Sequence, residues 1–191
     1  MQFIDYLTAM MTLSMAINLE VMYMSYRLGS GAARDELKSI GLVMMMLGVP
    51  TTIFGLTMSI TWPLPGSYNI LFGDAFLYLG IVTLIGGLLL YGVEPDKFKA
   101  ASFPVAFLSL ITIIYGASIY THGLTNSPVL AFSFYLFEGL GGIVTALLLY
   151  RRTKSIAYAV IALLAIATII MLIIDVGAIF QHAVLFAKYS P

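Results

Sequence analysis

Long apolar runs dominate the chain, and short polar or Pro/Gly-rich breaks separate them. The runs lie near residues 3–27, 39–61, 70–92, 100–121, 128–150 and 155–187. Bilayer hydrocarbon is about 30 Å thick and needs about 20 apolar residues per helix, so each run is long enough to cross a membrane once. The pattern predicts an all-α, polytopic membrane protein whose single domain, residues 1–191, is a bundle of six transmembrane helices.

Composition supports this prediction and excludes several classes of function. Of the 191 residues, 61% are hydrophobic and 9% are charged, whereas soluble domains carry about 25% charged residues. The net charge is zero and there is no cysteine. A nucleic-acid partner therefore has no basic surface to bind, and disulfides, iron–sulfur clusters and thiol nucleophiles are excluded. The partner that this composition requires is the lipid bilayer.

The basic residues predict the orientation. The first, third and fifth connections hold Arg27, Arg34, Lys38, Lys97, Lys99, Arg151, Arg152 and Lys154. Only Lys188 falls on the other side. Because Lys and Arg are retained on the cytoplasmic face, both termini and the loops near 62–69 and 122–128 are expected to face the exterior of a prokaryotic cell membrane.

Two pairs of similar segments indicate an internal repeat. The glycine and leucine pattern of 80–91 recurs at 139–150, and the Gly-Ala pattern of 116–122 resembles 177–182. The second and third spans would then correspond to the fourth and fifth. If the sixth span pairs with the first, the bundle is a ring of three pseudo-equivalent helical hairpins.

Carboxylates inside the apolar runs are the first candidates for function. Glu20, Glu138 and Asp175 lie within spans, and Asp5 and Asp74 lie nearer the outer boundary. A charge in the hydrocarbon costs about 3 kcal/mol or more, and no Lys or Arg lies deep enough to pair with these acids. They could relay protons or bind a cation. Alternatively, each is a neutral acid that hydrogen-bonds a neighbouring helix, a contact worth about 0.6–2 kcal/mol.

The two histidines, His122 and His182, both map to the outer ends of spans. Two imidazoles from different helices can be the axial ligands of haem b iron, with glycines and aromatic side chains around the porphyrin. The candidate lining residues are Gly116, Phe132, Phe134, Tyr135, Phe137, Gly177 and Phe180. The alternatives are a methionine as a ligand, a zinc or copper site with Asp175, and simple polar groups at the membrane surface. The equal depth of the histidines depends on the repeat alignment.

Motifs of soluble enzymes do not occur in the chain. It has no phosphate-binding glycine loop ahead of a lysine, no nucleophile elbow and no zinc-protease helix, so no enzyme activity is predicted. The glycines of 139–142 lie inside a span and indicate a close helix-packing surface.

The chain combines six helices and short loops with Glu138-Gly139 in the fifth span and a His122-Gly123 turn. In this plan it resembles a family of small archaeal and bacterial membrane proteins known only as a domain of unknown function. The resemblance covers most of the chain. It implies the six-helix fold and brings no activity or site residue with it.

Three functions remain open. The first is a b-type haem protein that transfers electrons near the outer leaflet, with His122 and His182 as ligands. The second is a small proton- or cation-coupled transporter or channel that uses Glu20, Glu138 and Asp175. The third is a non-catalytic accessory subunit whose polar residues only fix helix packing. Short loops and abundant small residues favour a homo-oligomer or a larger membrane complex.

Overall fold

A computed structural model describes residues 6–187, and Asp5 and Lys188 lie outside the described residues. The helices are α1 (Tyr6–Gly29), α2 (Arg34–Thr61), α3 (Ala75–Gly92), α4 (Ser102–His122), α5 (Pro128–Tyr150) and α6 (Lys154–Ala187). The described part of the chain contains no strand. Each span is long and apolar enough to cross a membrane, so the predicted all-α fold with six membrane-length helices is confirmed.

Two short helical segments of unusual geometry precede α3 and α4. A π-helical turn, Asn69–Asp74, runs directly into α3, and a 3₁₀ segment, Pro95–Ala101, runs directly into α4. With its π-helical turn, α3 becomes a continuous span of 24 residues. The sequence pattern predicts the length of this span but not its π-helical start.

The helices alternate in direction, so the connections gather at two ends of the bundle. The connections 30–33, 93–101 and 151–153 form what we call the basic end, and the connections 62–68 and 123–127 form the opposite end.

Side chains join the connections of the basic end to one another. Arg34 donates hydrogen bonds to the last carbonyl groups of α3, one of them from Nη2 to the Tyr91 oxygen at 2.8 Å. Arg152 pairs with Asp96 at 2.8 Å. Carbonyl groups at a helix terminus have no partner within their own helix, so Arg34 acts as a tertiary cap for α3.

The helices pack most extensively as two antiparallel pairs, α2 with α3 and α4 with α5, and α6 packs on α1 and on α5 to nearly the same extent. If α1 and α6 are taken as a third antiparallel pair, the pairs close into a ring because α1 also packs on α2 and α5 packs on α6. Among neighbours in this ring, α3 and α4 contact each other least. The α3–α4 seam is therefore the loosest boundary in the wall of the bundle.

Glycines bring α2 and α3 into close contact. A Cβ atom on Gly41 would lie 2.7 Å from the Gly87 carbonyl oxygen, and one on Gly80 would lie 2.5 Å from the Thr52 amide nitrogen. Small residues allow helix backbones to approach in this way. The α2–α3 pair is consequently held by direct backbone packing.

Candidate functional site

A cavity of about 150 Å³ lies inside the bundle, with walls formed mainly by α1, α3, α4 and α5. The α1 residues that line it are Leu7, Met10, Met11, Ser14, Ile17, Asn18, Val21 and Met24. They recur every three or four positions and so occupy one face of the helix. From Leu7 to Met24 the helix rises about 25 Å, at about 1.5 Å per residue. The cavity is therefore long, narrow and parallel to the helices.

A hydrogen bond between two polar side chains lies at the middle of this cavity. The Nδ2 atom of Asn18 donates to Oε2 of Glu138 at 2.8 Å. Asn18 is 1% exposed, and both side chains line the cavity. Each residue is close to the centre of its helix, so the pair lies midway between the two ends of the bundle.

The pair has unused capacity for hydrogen bonds. Neither Oδ1 of Asn18 nor Oε1 of Glu138 bonds to another residue in the part of the chain that the structure describes. Both atoms are acceptors when Glu138 is ionised. The centre of the cavity thus presents two acceptor oxygens to whatever enters it.

Glu138 is the one charged side chain that lines the cavity among the described residues. Four hydroxyl groups of the lining donate to carbonyl groups of their own helices and so cannot also donate to the carboxylate; they belong to Thr83, Ser109, Thr112 and Thr145. The buried hydroxyl group of Ser14 has no partner among the described residues. A carboxylate in an apolar cavity without a cationic partner is costly, and a bound proton or a bound cation removes that cost.

The other two predicted carboxylates lie elsewhere. Glu20 is half-buried on α1, two positions beyond Asn18, and does not line the cavity. Asp175 of α6 is 2% exposed and accepts a hydrogen bond from Thr12 of α1 at 2.9 Å. The structure therefore places the three acids in three different environments. Within residues 6–187, no group of three His, Cys, Asp or Glu residues is arranged to hold a metal ion.

The histidines lie on helices that do not pack as neighbours. His122 is exposed at the end of α4, and His182 of α6 shares a hydrogen bond of 3.2 Å with Thr8 of α1. Helix α5 packs on both α4 and α6 and separates them. The space beside Gly116 is filled by Tyr135, whereas a Cβ atom on Gly177 would have no neighbour within 4 Å in residues 6–187. This packing does not bring the two imidazoles together around a shared space.

A second polar cluster crosses the α3–α4 seam near the opposite end. Ser59 of α2 donates to Oδ1 of Asp74 at 2.6 Å, and the Tyr115 hydroxyl of α4 donates to Oδ2 at 3.3 Å. The ring of Tyr78 lies 6.3 Å from that of Tyr115. Asp74 thereby links three helices where the wall is loosest.

Tyr135 connects the cavity to the π-helical turn. Its hydroxyl donates to the Leu71 carbonyl at 2.8 Å, and its side chain lines the cavity. Single π-helical turns are frequent at functional sites. The contact couples the cavity wall to the start of α3.

The glycines of 139–142 pack as the sequence indicates, and they also border the cavity. A Cβ atom on Gly139 would clash with Ile113 of α4, and one on Gly141 would clash with Leu164 of α6. Gly139 and Gly142 line the cavity next to Glu138. Close packing at this point keeps the carboxyl group on the inner face of α5.

Comparison with known proteins identifies one family. Residues 1–184 match the family described as "Protein of unknown function (DUF981)". No curated protein and no solved structure matches the chain. A function must therefore be argued from the geometry of the cavity.

Proposed function

The chain belongs to this family of unknown function, and we propose that it is a proton-coupled membrane transporter whose substrate site is the cavity around Asn18 and Glu138. The observation that carries the proposal is the Asn18–Glu138 hydrogen bond of 2.8 Å, in an otherwise apolar cavity at the centre of the bundle. This is the second of the three functions that the sequence leaves open, with Glu138 as the acid that acts.

The chemistry of coupling follows from the single carboxyl group. A proton on Glu138 neutralises it, and a bound cation also neutralises it, but one acid cannot hold both. Binding of the cation therefore favours release of the proton. The apolar lining disfavours the state in which neither is bound. These two properties are sufficient for one proton to exchange with one monovalent cation.

The architecture suits alternating access. In many transporters the site lies near the bilayer midplane, between repeated helical units. Here the cavity lies between helix pairs, and the π-helical turn of 69–74 lies at the start of α3 without interrupting it. We assign the three antiparallel pairs as the pseudo-threefold repeat that the sequence indicates. By the positive-inside rule, the basic end is cytoplasmic and both termini are exterior.

The collapse of a pH gradient across proteoliposomes tests the function. The liposomes have an acidic interior and contain a pH-sensitive dye, and Na⁺, K⁺, methylammonium or a longer alkylammonium is added to the outer solution. We expect at least one cation to raise the internal pH faster in liposomes that contain the protein than in empty ones. If no member of this panel distinguishes the two kinds of liposome, the proposed function is wrong.

An absorption spectrum decides between this proposal and the haem b prediction. If His122 and His182 held haem iron, the protein purified from its native membrane would show a Soret band, and dithionite would sharpen its α and β bands. We expect only aromatic absorbance, since the packing separates the two histidines. A Soret band that disappears in a variant with both histidines replaced by alanine would restore the electron-transfer function.

A further inference from the structure

We infer that the substrate is a single-chain lipophilic cation, an unbranched alkyl chain that ends in a protonated amine. This inference rests on the proposed function and deepens it by naming the substrate class. Three features of the cavity carry it: its shape, its charge and its position beside the α3–α4 seam.

The shape of the cavity fits a chain better than a ring system. Its volume of about 150 Å³ is spread along the lining face of α1, from Leu7 to Met24, over a rise of about 25 Å. The space is therefore much longer than it is wide. Methionine side chains, including Met10, Met11 and Met171, form part of the wall. Methionine is flexible and adapts to a thin, mobile apolar ligand.

The polar centre selects the head group. Oδ1 of Asn18 and Oε1 of Glu138 are both acceptors, and neither bonds to another described residue. An ammonium group has three donors and no acceptor, and its charge neutralises the carboxylate. A carboxylate or phosphate head group would meet acceptors and a like charge. A hydroxyl group could donate one hydrogen bond but would leave the charge of Glu138 uncompensated.

Among the residues that the structure describes, no other charged group lines the cavity and competes for the head group. The further titratable side chains in the cavity wall are Tyr78 of α3 and Tyr135 of α5, and neither can be a cation. The lining residues of α1, α4 and α6 add none. In the exchange, one proton leaves the Glu138 carboxyl group as one ammonium ion binds, so charge is conserved.

The α3–α4 seam offers a route of entry from the bilayer. Both helices line the cavity, and their mutual packing is the loosest in the ring. An alkyl chain partitions into lipid, and lateral entry avoids moving the chain through water. The Asp74–Tyr115 contact crosses the seam near the opposite end, where it limits how far the two helices separate.

Saturable binding of tritiated decylamine to the full chain in lipid nanodiscs tests the inference, with empty nanodiscs as background. The matched variants are Glu138→Gln in the cavity and Glu20→Gln outside it. We expect saturable binding to the wild type and to Glu20→Gln, and binding at least about tenfold weaker to Glu138→Gln. Unlabelled decylamine should compete, whereas decanoate and butylamine should not.

Equal binding to Glu138→Gln and the wild type would overturn the inference, as would equal competition by decanoate. Circular dichroism and thermal unfolding of each variant show whether a loss of binding reflects a loss of fold. If Glu138→Gln unfolds, Asn18→Leu replaces it, with the same expected loss. The absence of decylamine binding, together with gradient collapse by Na⁺ or K⁺, would reject the substrate class and leave the proposed function standing. The absence of both would reject both.

Discussion

Glu138→Gln is expected to abolish cation-dependent proton movement in proteoliposomes, with a loss of about 100-fold or more. Glutamine has the shape of a protonated glutamate, and its amide oxygen can still accept the hydrogen bond from Asn18. It can neither release a proton nor balance the charge of a cation. The rate of internal pH change after addition of the active cation measures the effect.

Two variants of the other intramembrane acids serve as controls for this experiment. Glu20→Gln removes the same chemical group from α1, outside the cavity, and should retain the wild-type rate. Asp175→Asn changes a contact between α6 and Thr12 of α1, so its effect should be on stability. If Glu138→Gln retains the wild-type rate, the carboxyl group in the cavity is not the coupling site.

The number of helices could be predicted because one physical requirement decides it. A backbone in hydrocarbon must satisfy its hydrogen bonds internally, so an apolar run of about 20 residues becomes one helix. Local signals also define several ends. Pro128 begins α5, as proline does at the first helical position, and Gly123 follows α4 with φ of +61°.

The central pair of the site could be predicted only in part. Glu138 is conspicuous as a carboxylate at the middle of a span, and Asn18 is an amide at the middle of another, so both are visible in the sequence. Their contact is not visible, because it depends on how α1 and α5 are rotated and packed. The same rotation places Asn18 in the cavity and leaves Glu20, two residues later, outside it.

The Gly-Ala pattern shows how local similarity misleads about a site. Gly116 and Gly177 occupy matching positions in the sequence, yet Tyr135 packs on the first and none of the described residues packs on the second. A shared short pattern fixes depth along a helix but not which helix lies beside it. The π-helical turn also depends on tertiary packing. It is stabilised by the tertiary hydrogen bond from Tyr135 to Leu71, which no local signal specifies.

Gly87→Leu is expected to lower the unfolding temperature by about 5–10 °C relative to Gly92→Leu. A Cβ atom at Gly87 would lie 2.7 Å from the Gly41 carbonyl oxygen and 2.7 Å from Cγ of Met45, whereas one at Gly92 would have no neighbour within 4 Å. Overpacking typically costs about 1–3 kcal/mol, and more where backbone must move. Gly87 lies inside α3 and Gly92 is its last residue, so the intrinsic gain from replacing a helical glycine is at least as large at Gly87 and cannot explain a loss of stability there.

Thermal unfolding in detergent, followed by circular dichroism, compares the two leucine variants. Gly87 faces α2 and does not line the cavity, so Gly87→Leu should lose stability while the protein that remains folded still binds decylamine. Equal unfolding temperatures would mean that α2 and α3 are not held by backbone contact. In that case the α2–α3 pair could not move as one rigid unit against α4–α5, as alternating access through the α3–α4 seam requires.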